Sequence, residues 1–189
     1  MALPPTKPNP SAATVAVYNA VPNVLWSVLA FGPLVVCCYR YVERPWLWGF
    51  VAVSLSAYAW PVAWLRRLQL SPHVAAYRRL GVPGVNRFTQ QGALINGLLR
   101  RRYPHYRVLA GPRAVGKLLS TTYQQERFHW AGLVGFLLVS IYAGAKEEWG
   151  WALGLSVANV GYNLYPIWLQ QYLRVRLGHG TPPRTATPA

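Results

Sequence analysis

Hydrophobic residues in this chain gather in four long blocks, roughly 15–39, 46–65, 128–145 and 149–169. Each approaches the ~20 apolar residues that a helix needs to cross a hydrocarbon core of ~30 Å. The pattern predicts an all-α integral membrane protein with about four transmembrane helices. Pro22 and Pro33 lie inside the first block and predict kinks there. The second block reads WLWGFVAVSLSAYAWPVAWL and the fourth WGWALGLSVANVGYNLYPIWL. Both are rich in Trp near their ends, as headgroup-level aromatic belts are. The first block is long enough to span, and one Lys and four Pro precede it. A cleaved leader is therefore not expected.

The polar stretches between the blocks set the organisation. Residues 1–14 form a tail, 15–65 a transmembrane pair and 66–127 a basic segment. Residues 128–177 form a second pair and 178–189 a second tail. In the basic segment, Ser71-Pro72 reads as a helix start and Gly81 as a stop. Leu94, Ile95, Leu98 and Leu99 recur at helical spacing, as do Val115, Leu118, Leu119 and Tyr123 after Pro112. Two or three amphipathic interfacial helices are expected, apolar side toward the acyl boundary and Arg side toward phosphates. Twelve of the 19 Lys and Arg fall in this segment, and four more lie in the tails and the chain end after span four. With four spans these regions share one side. The positive-inside bias then puts both termini and the basic segment in the cytoplasm of a multi-pass protein of the plasma (inner) membrane.

Composition sharpens this picture. The chain is 53% hydrophobic and 14% aromatic, with nine Trp and twelve Tyr and a mean hydropathy of +0.16. The acidic residues are Glu43, Glu126, Glu147 and Glu148, with no Asp, against a formal charge of +15. Anionic headgroups or a phosphorylated substrate fit that charge. Nucleic acid does not, because the basic residues alternate with membrane-length runs. Cys37 and Cys38 are adjacent and cannot form a disulfide framework.

Few motifs carry chemistry. Gly111–Lys117 imitates a phosphate-binding loop after a strand-like Tyr106–Ala110, but Leu118 stands where that loop needs Ser or Thr. Glu126 and His129, in YQQERFHW, share a helix face at the mouth of the third block. Ionisable groups at that depth are costly and point to function. A di-iron site would need two such motifs and more carboxylates, and a zinc site more His or Cys nearby. His73, His105 and His179 have no metal-like spacing, so no metal or cofactor is expected. Axial ligation of a chlorin or haem by His129 alone stays open. In the fourth block Asn159, Asn163, Gln170 and Arg174 form one polar stripe, bent at Pro166. That stripe and the Glu126–His129 pair should reach the same membrane face.

These residues resemble the carotenoid-glycoside acyltransferases, the family of glycosyl-diaponeurosporenoate acyltransferase. Its Ala-Glu-x-x-His-Trp segment is matched by Glu126, His129 and Trp130. Its later Asn…Pro-Ile-x-x-Gln-Arg-Tyr-Asn-Arg-x-Arg run is matched by Asn163, Pro166, Ile167, Gln170, Tyr172, Arg174 and Arg176. LLRRRYPHYRVL at 98–109 is similar in character to the preceding family segment. Gln125, Gln171 and Leu173 depart from the pattern. The resemblance spans about 87–177. It implies transfer of a fatty acyl group from a cytoplasmic thioester such as acyl-CoA to a sugar hydroxyl on a membrane glycolipid or carotenoid glycoside. On that reading His129 is the general base and Glu126 orients it. Arg174 and Arg176, with Arg100, Arg101 and Arg102, bind the donor's phosphates. Asn163, Gln170 and Tyr172 position the sugar or polarise the thioester. A second class is a non-catalytic, pigment-binding or structural subunit packed against partner membrane proteins.

Overall fold

The computed structural model describes residues 9–89, 92–106 and 112–180. These are helical, with no strand among the described residues. The helices are α1 (Ala12–Tyr41), α2 (Arg44–Leu55), α3 (Val62–Arg67), α4 (Val74–Arg79), α5 (Val82–Val85), α6 (Ala93–Arg102), α7 (Pro112–Ala145), α8 (Trp149–Asn159) and α9 (Tyr165–Gly180). Parts of both tails, and residues 107–111 with the strand-like end of the phosphate-loop imitation, lie outside the described residues.

Two helices, α1 and the 115–145 part of α7, are long and apolar enough to cross a membrane. The first keeps Pro22 and Pro33 within one helix, capped by Ser11 Oγ, which accepts from Thr14 N at 3.1 Å. Two such helices among the described residues do not by themselves show the four spans expected from the blocks. The second block is broken. Helix α2 stops at Leu55, a short 3₁₀ turn covers Ser56–Ala59, and Trp60 is extended before Pro61. Proline has no N–H and disfavours helix at the residue before it, which dictates the break. The Trp60 carbonyl left over accepts from Arg127 Nη2 at 2.9 Å and Nε at 3.1 Å. The fourth block forms one helical path through α8, a π-helical turn at Val160–Leu164 and α9.

The basic segment also differs in detail from its expected elements. Ser71 and Pro72 do not open a helix: Ser71 Oγ accepts from His73 N, and α4 starts at Val74. Gly81 does end it, at φ +70, where a Cβ would be strained. Helix α6 buries Ile95 and Leu99 and exposes Leu94 and Leu98. The residues 115–123 form no separate interfacial helix; with no breaker before Trp130 they are simply the start of α7.

Helix α7 is the central element and packs on α1, α2, α8 and α9. It runs antiparallel to α2. Trp46 and Phe50 stack on Tyr142, Ser54 lies beside Gly135, and Trp60 stacks on Trp130. The core here is Ala30, Cys37, Val42, Phe136, Val139, Ala143 and Leu155. Beyond it, at one end of the bundle, Glu43 Oε1 accepts from Lys146 Nζ at 2.9 Å and Tyr142 Oη at 3.2 Å. These two partners hold the Glu43 carboxyl below its ordinary value. A second core, Tyr77, Val82, Leu169, Tyr172 and Val175, fastens α4 and α5 onto α9 at the other end. The short basic helices therefore gather at the end opposite the Glu43–Lys146 corner.

Candidate functional site

Three turns of two helices build the polar centre of that second end. Glu126 on α7 has no exposed surface, and its two oxygens face α9. Oε1 accepts from Gln171 Nε2 at 2.8 Å. Oε2 stands 2.5 Å from Arg174 Nη2 as an ion pair, with both side chains buried. The Arg174 guanidinium lies over the Tyr123 ring, 4.2 Å from its centroid. Gln171 also reaches the loop after α3. Its Oε1 accepts from Leu70 N at 3.0 Å, and its Nε2 donates to Leu68 O at 3.4 Å. Tyr77 Oη lies 3.3 Å from the same Oε1 and donates to Ser71 O at 2.9 Å. Burial holds this phenol above its ordinary value, which keeps it a proton donor. A carboxylate this deep is tolerable only with such partners.

One turn further along α7, His129 lies against the Asn163 side chain and the Tyr162 backbone. Its Nδ1 is sealed from solvent and makes no hydrogen bond among the described residues. Asn163 is buried and donates to Asn159 Oδ1 at 2.8 Å, and Asn159 Nδ2 donates to Leu133 O at 3.0 Å. Gly132 lets the helices meet at this level: a Cβ there would come within 3.0 Å of Asn163 Cγ. Pro166 has no N–H to offer the carbonyl four residues back, that of Tyr162, which is where the imidazole sits. The other side of Gly132 lines an apolar cavity of about 250 Å³ between α1, α2 and α7, with Phe31, Phe128, Gly135 and Phe136 in its walls. Ser54 in its wall already donates to Phe50 O at 2.6 Å.

The structure joins some of the expected site residues and separates others. Glu126 and Arg174 meet directly, and His129 meets Asn163. Glu126 and His129, three apart, are turned to different partners. Tyr172 is buried in packing against Tyr77. Gln170 is half-buried and Arg176 exposed. Arg100, Arg101 and Arg102 are exposed at the end of α6, which packs on α1 and the turn at Asn86–Phe88 rather than beside Arg174. Gln171, the hub of the network, falls outside the stripe drawn from ideal helical spacing. A π-helical turn acts as a one-residue insertion, so Gln171 takes the inward place that Gln170 would hold on an uninterrupted α-helix.

The described residues form an all-helical fold with two helices long and apolar enough to cross a membrane and a buried polar cluster toward one end. The sequence profile of the glycosyl-4,4'-diaponeurosporenoate acyltransferase family matches residues 61–179. The chain belongs to that family. Membership places it, in class, among the acyltransferases of carotenoid-glycoside biosynthesis and implies a glycosylated carotenoid acceptor. The matched region begins beside Pro61 and contains Glu126, His129, Asn163, Gln171 and Arg174. No curated protein and no solved structure matches the chain.

Proposed function

We propose that the protein is an integral-membrane O-acyltransferase. It moves a fatty acyl group from a cytoplasmic thioester, acyl-CoA or a similar donor, to a sugar hydroxyl of a membrane glycolipid or carotenoid glycoside. The observation that carries this reading is the buried imidazole of His129, set against the Asn163 side chain within the region that matches the family, with no aligned hydrogen bond at Nδ1 among the described residues. An imidazole nitrogen so placed is a ready acceptor for a hydroxyl proton. His129 takes that proton as the sugar oxygen attacks the thioester carbonyl. The C–O bond forms, the C–S bond breaks, and the imidazolium returns the proton to the departing thiolate. Asn163 steadies the reacting groups. The apolar cavity takes the acyl or polyene tail.

Glu126 is a positioning residue in this scheme. Its oxygens are engaged by Gln171 and Arg174, so it locks α7 to α9 and thereby sets His129 against Asn163. The proposed topology has four crossings, the second made by α2 and its broken continuation, with both termini and the basic helices on the cytoplasmic side. The step as written needs no metal. His129→Ala should lower acylated glycolipid by about 100-fold or more, measured by lipid mass spectrometry of membranes carrying equal amounts of each protein. Unchanged product from His129→Ala rejects the mechanism.

A further inference from the structure

A second cavity, of about 350 Å³, opens beside the buried network. Arg66, Gln69, Tyr123 and Arg174 line it, with Val175 and Gly178 behind. Arg66 is exposed, and its Nε reaches Tyr123 Oη at 3.4 Å, leaving its terminal nitrogens free of any hydrogen bond among the described residues. Arg174 is only 7% exposed. Its Nε, Nη1 and Nη2 lie beneath the cavity wall without an aligned hydrogen bond among the described residues. The contact with Glu126 is an ion pair that leaves most of the guanidinium fork unused. Two guanidinium charges face one carboxylate, and no acidic side chain lines the cavity. Arginine suits such a place because its planar fork matches phosphate oxygens.

We infer that the Arg66–Gln69–Tyr123–Arg174 cavity is a phosphate site, holding the pyrophosphate or phosphate monoester of the acyl donor. The assignment to the donor rests on the acyltransferase reading; the anion site itself does not. Arg66 and Gln69 supply the outer donors. Arg174, stacked on Tyr123, supplies positive potential from below, at reduced dielectric. Tyr123 stands six residues before His129, about 9 Å along the helix axis. An anion bound here therefore anchors its molecule on the side of the bundle from which a flexible arm can extend to the imidazole. This places the donor on α3, α7 and α9 rather than on Arg100–Arg102 of α6.

The test is calorimetric titration of the purified full chain in uncharged detergent with inorganic pyrophosphate and with coenzyme A. Wild type, Arg66→Gln and Arg44→Gln are compared. Arg44 removes the same charge at the opposite end of the bundle. Both probes should bind wild type and Arg44→Gln alike, and Arg66→Gln should weaken them at least about tenfold. A parallel arm measures binding to phosphatidylcholine vesicles with and without phosphatidylglycerol. Arg66-dependent binding of only the phosphatidylglycerol vesicles keeps the phosphate site but makes a lipid headgroup its ligand. The absence of Arg66-dependent binding in every arm overturns the site. Acylation assays on the same preparations separate the two ideas, since intact anion binding with no acyl product rejects the enzyme reading alone.

Discussion

Glu126 shows at the residue scale how a sequence with so few acids uses one of them. Its carboxylate balances Arg174 and orders Gln171, which in turn pins the loop at Leu68–Leu70. Glu126→Gln leaves a buried guanidinium without its counter-charge, at a cost of about 3–5 kcal/mol. The expected result is a marked loss of resistance to denaturant in detergent. Adding Arg174→Met should restore most of it, because removing both members of a buried pair is far milder than removing one. Glu126, His129, Asn163 and Arg174 are legible in the sequence as candidates, since charged and amide groups inside apolar blocks stand out. Their pairing was not. The i,i+3 rule put Glu126 with His129, but a neighbouring helix offered a guanidinium and an amide, and these stronger partners won.

At the scale of elements, two local interruptions account for most of the distance between pattern and fold. Block hydrophobicity located α1, α7 and the α8–α9 path. It passed over Pro61 within the second block, although a proline there dictates the break at Trp60. It also gave no sign of the π-helical turn at Val160–Leu164, because a one-residue change of register leaves apolar content untouched. That turn can be tested by deletion. Removing Gly161, whose surroundings would tolerate even a side chain, should return the segment to α-helical spacing. Gln171 would then keep its inward place, now on an uninterrupted α-helix, and the deletion should change stability little. Gln171→Leu, by contrast, should destabilise the protein by about 2–4 kcal/mol, at roughly 1 kcal/mol per bond plus the unsatisfied Glu126 oxygen. Unfolding midpoints in detergent give the comparison. A deletion as costly as Gln171→Leu would mean that the turn does not act as a one-residue insertion.

For the whole molecule the two ends are chemically distinct. One carries the exposed Glu43–Lys146 pair with Glu147 and Glu148; the other carries α3, α4, α6 and the buried network. The topology proposed above puts the basic end in the cytoplasm, following the charge bias. With Cys37 and Cys38 replaced by Ala, single cysteines at Lys146 and at Arg101 should react with a membrane-impermeant maleimide from opposite sides of sealed vesicles. Labelling of both from one side would refute the four-crossing topology.

The break at Trp60–Pro61 has a consequence for the surrounding lipid. Helix α2 and the 3₁₀ turn that continues it have twelve and four residues, about 26 Å of rise together, short of a ~30 Å hydrocarbon core. Lipids beside a short element yield by thinning, so a dimple should form along α2 on the side where Arg127 holds the Trp60 carbonyl. A sugar headgroup riding in that depression sits deeper than it does elsewhere in the leaflet, nearer the level of His129. Turnover in reconstituted bilayers should accordingly fall as the acyl chains of the host lipid are lengthened.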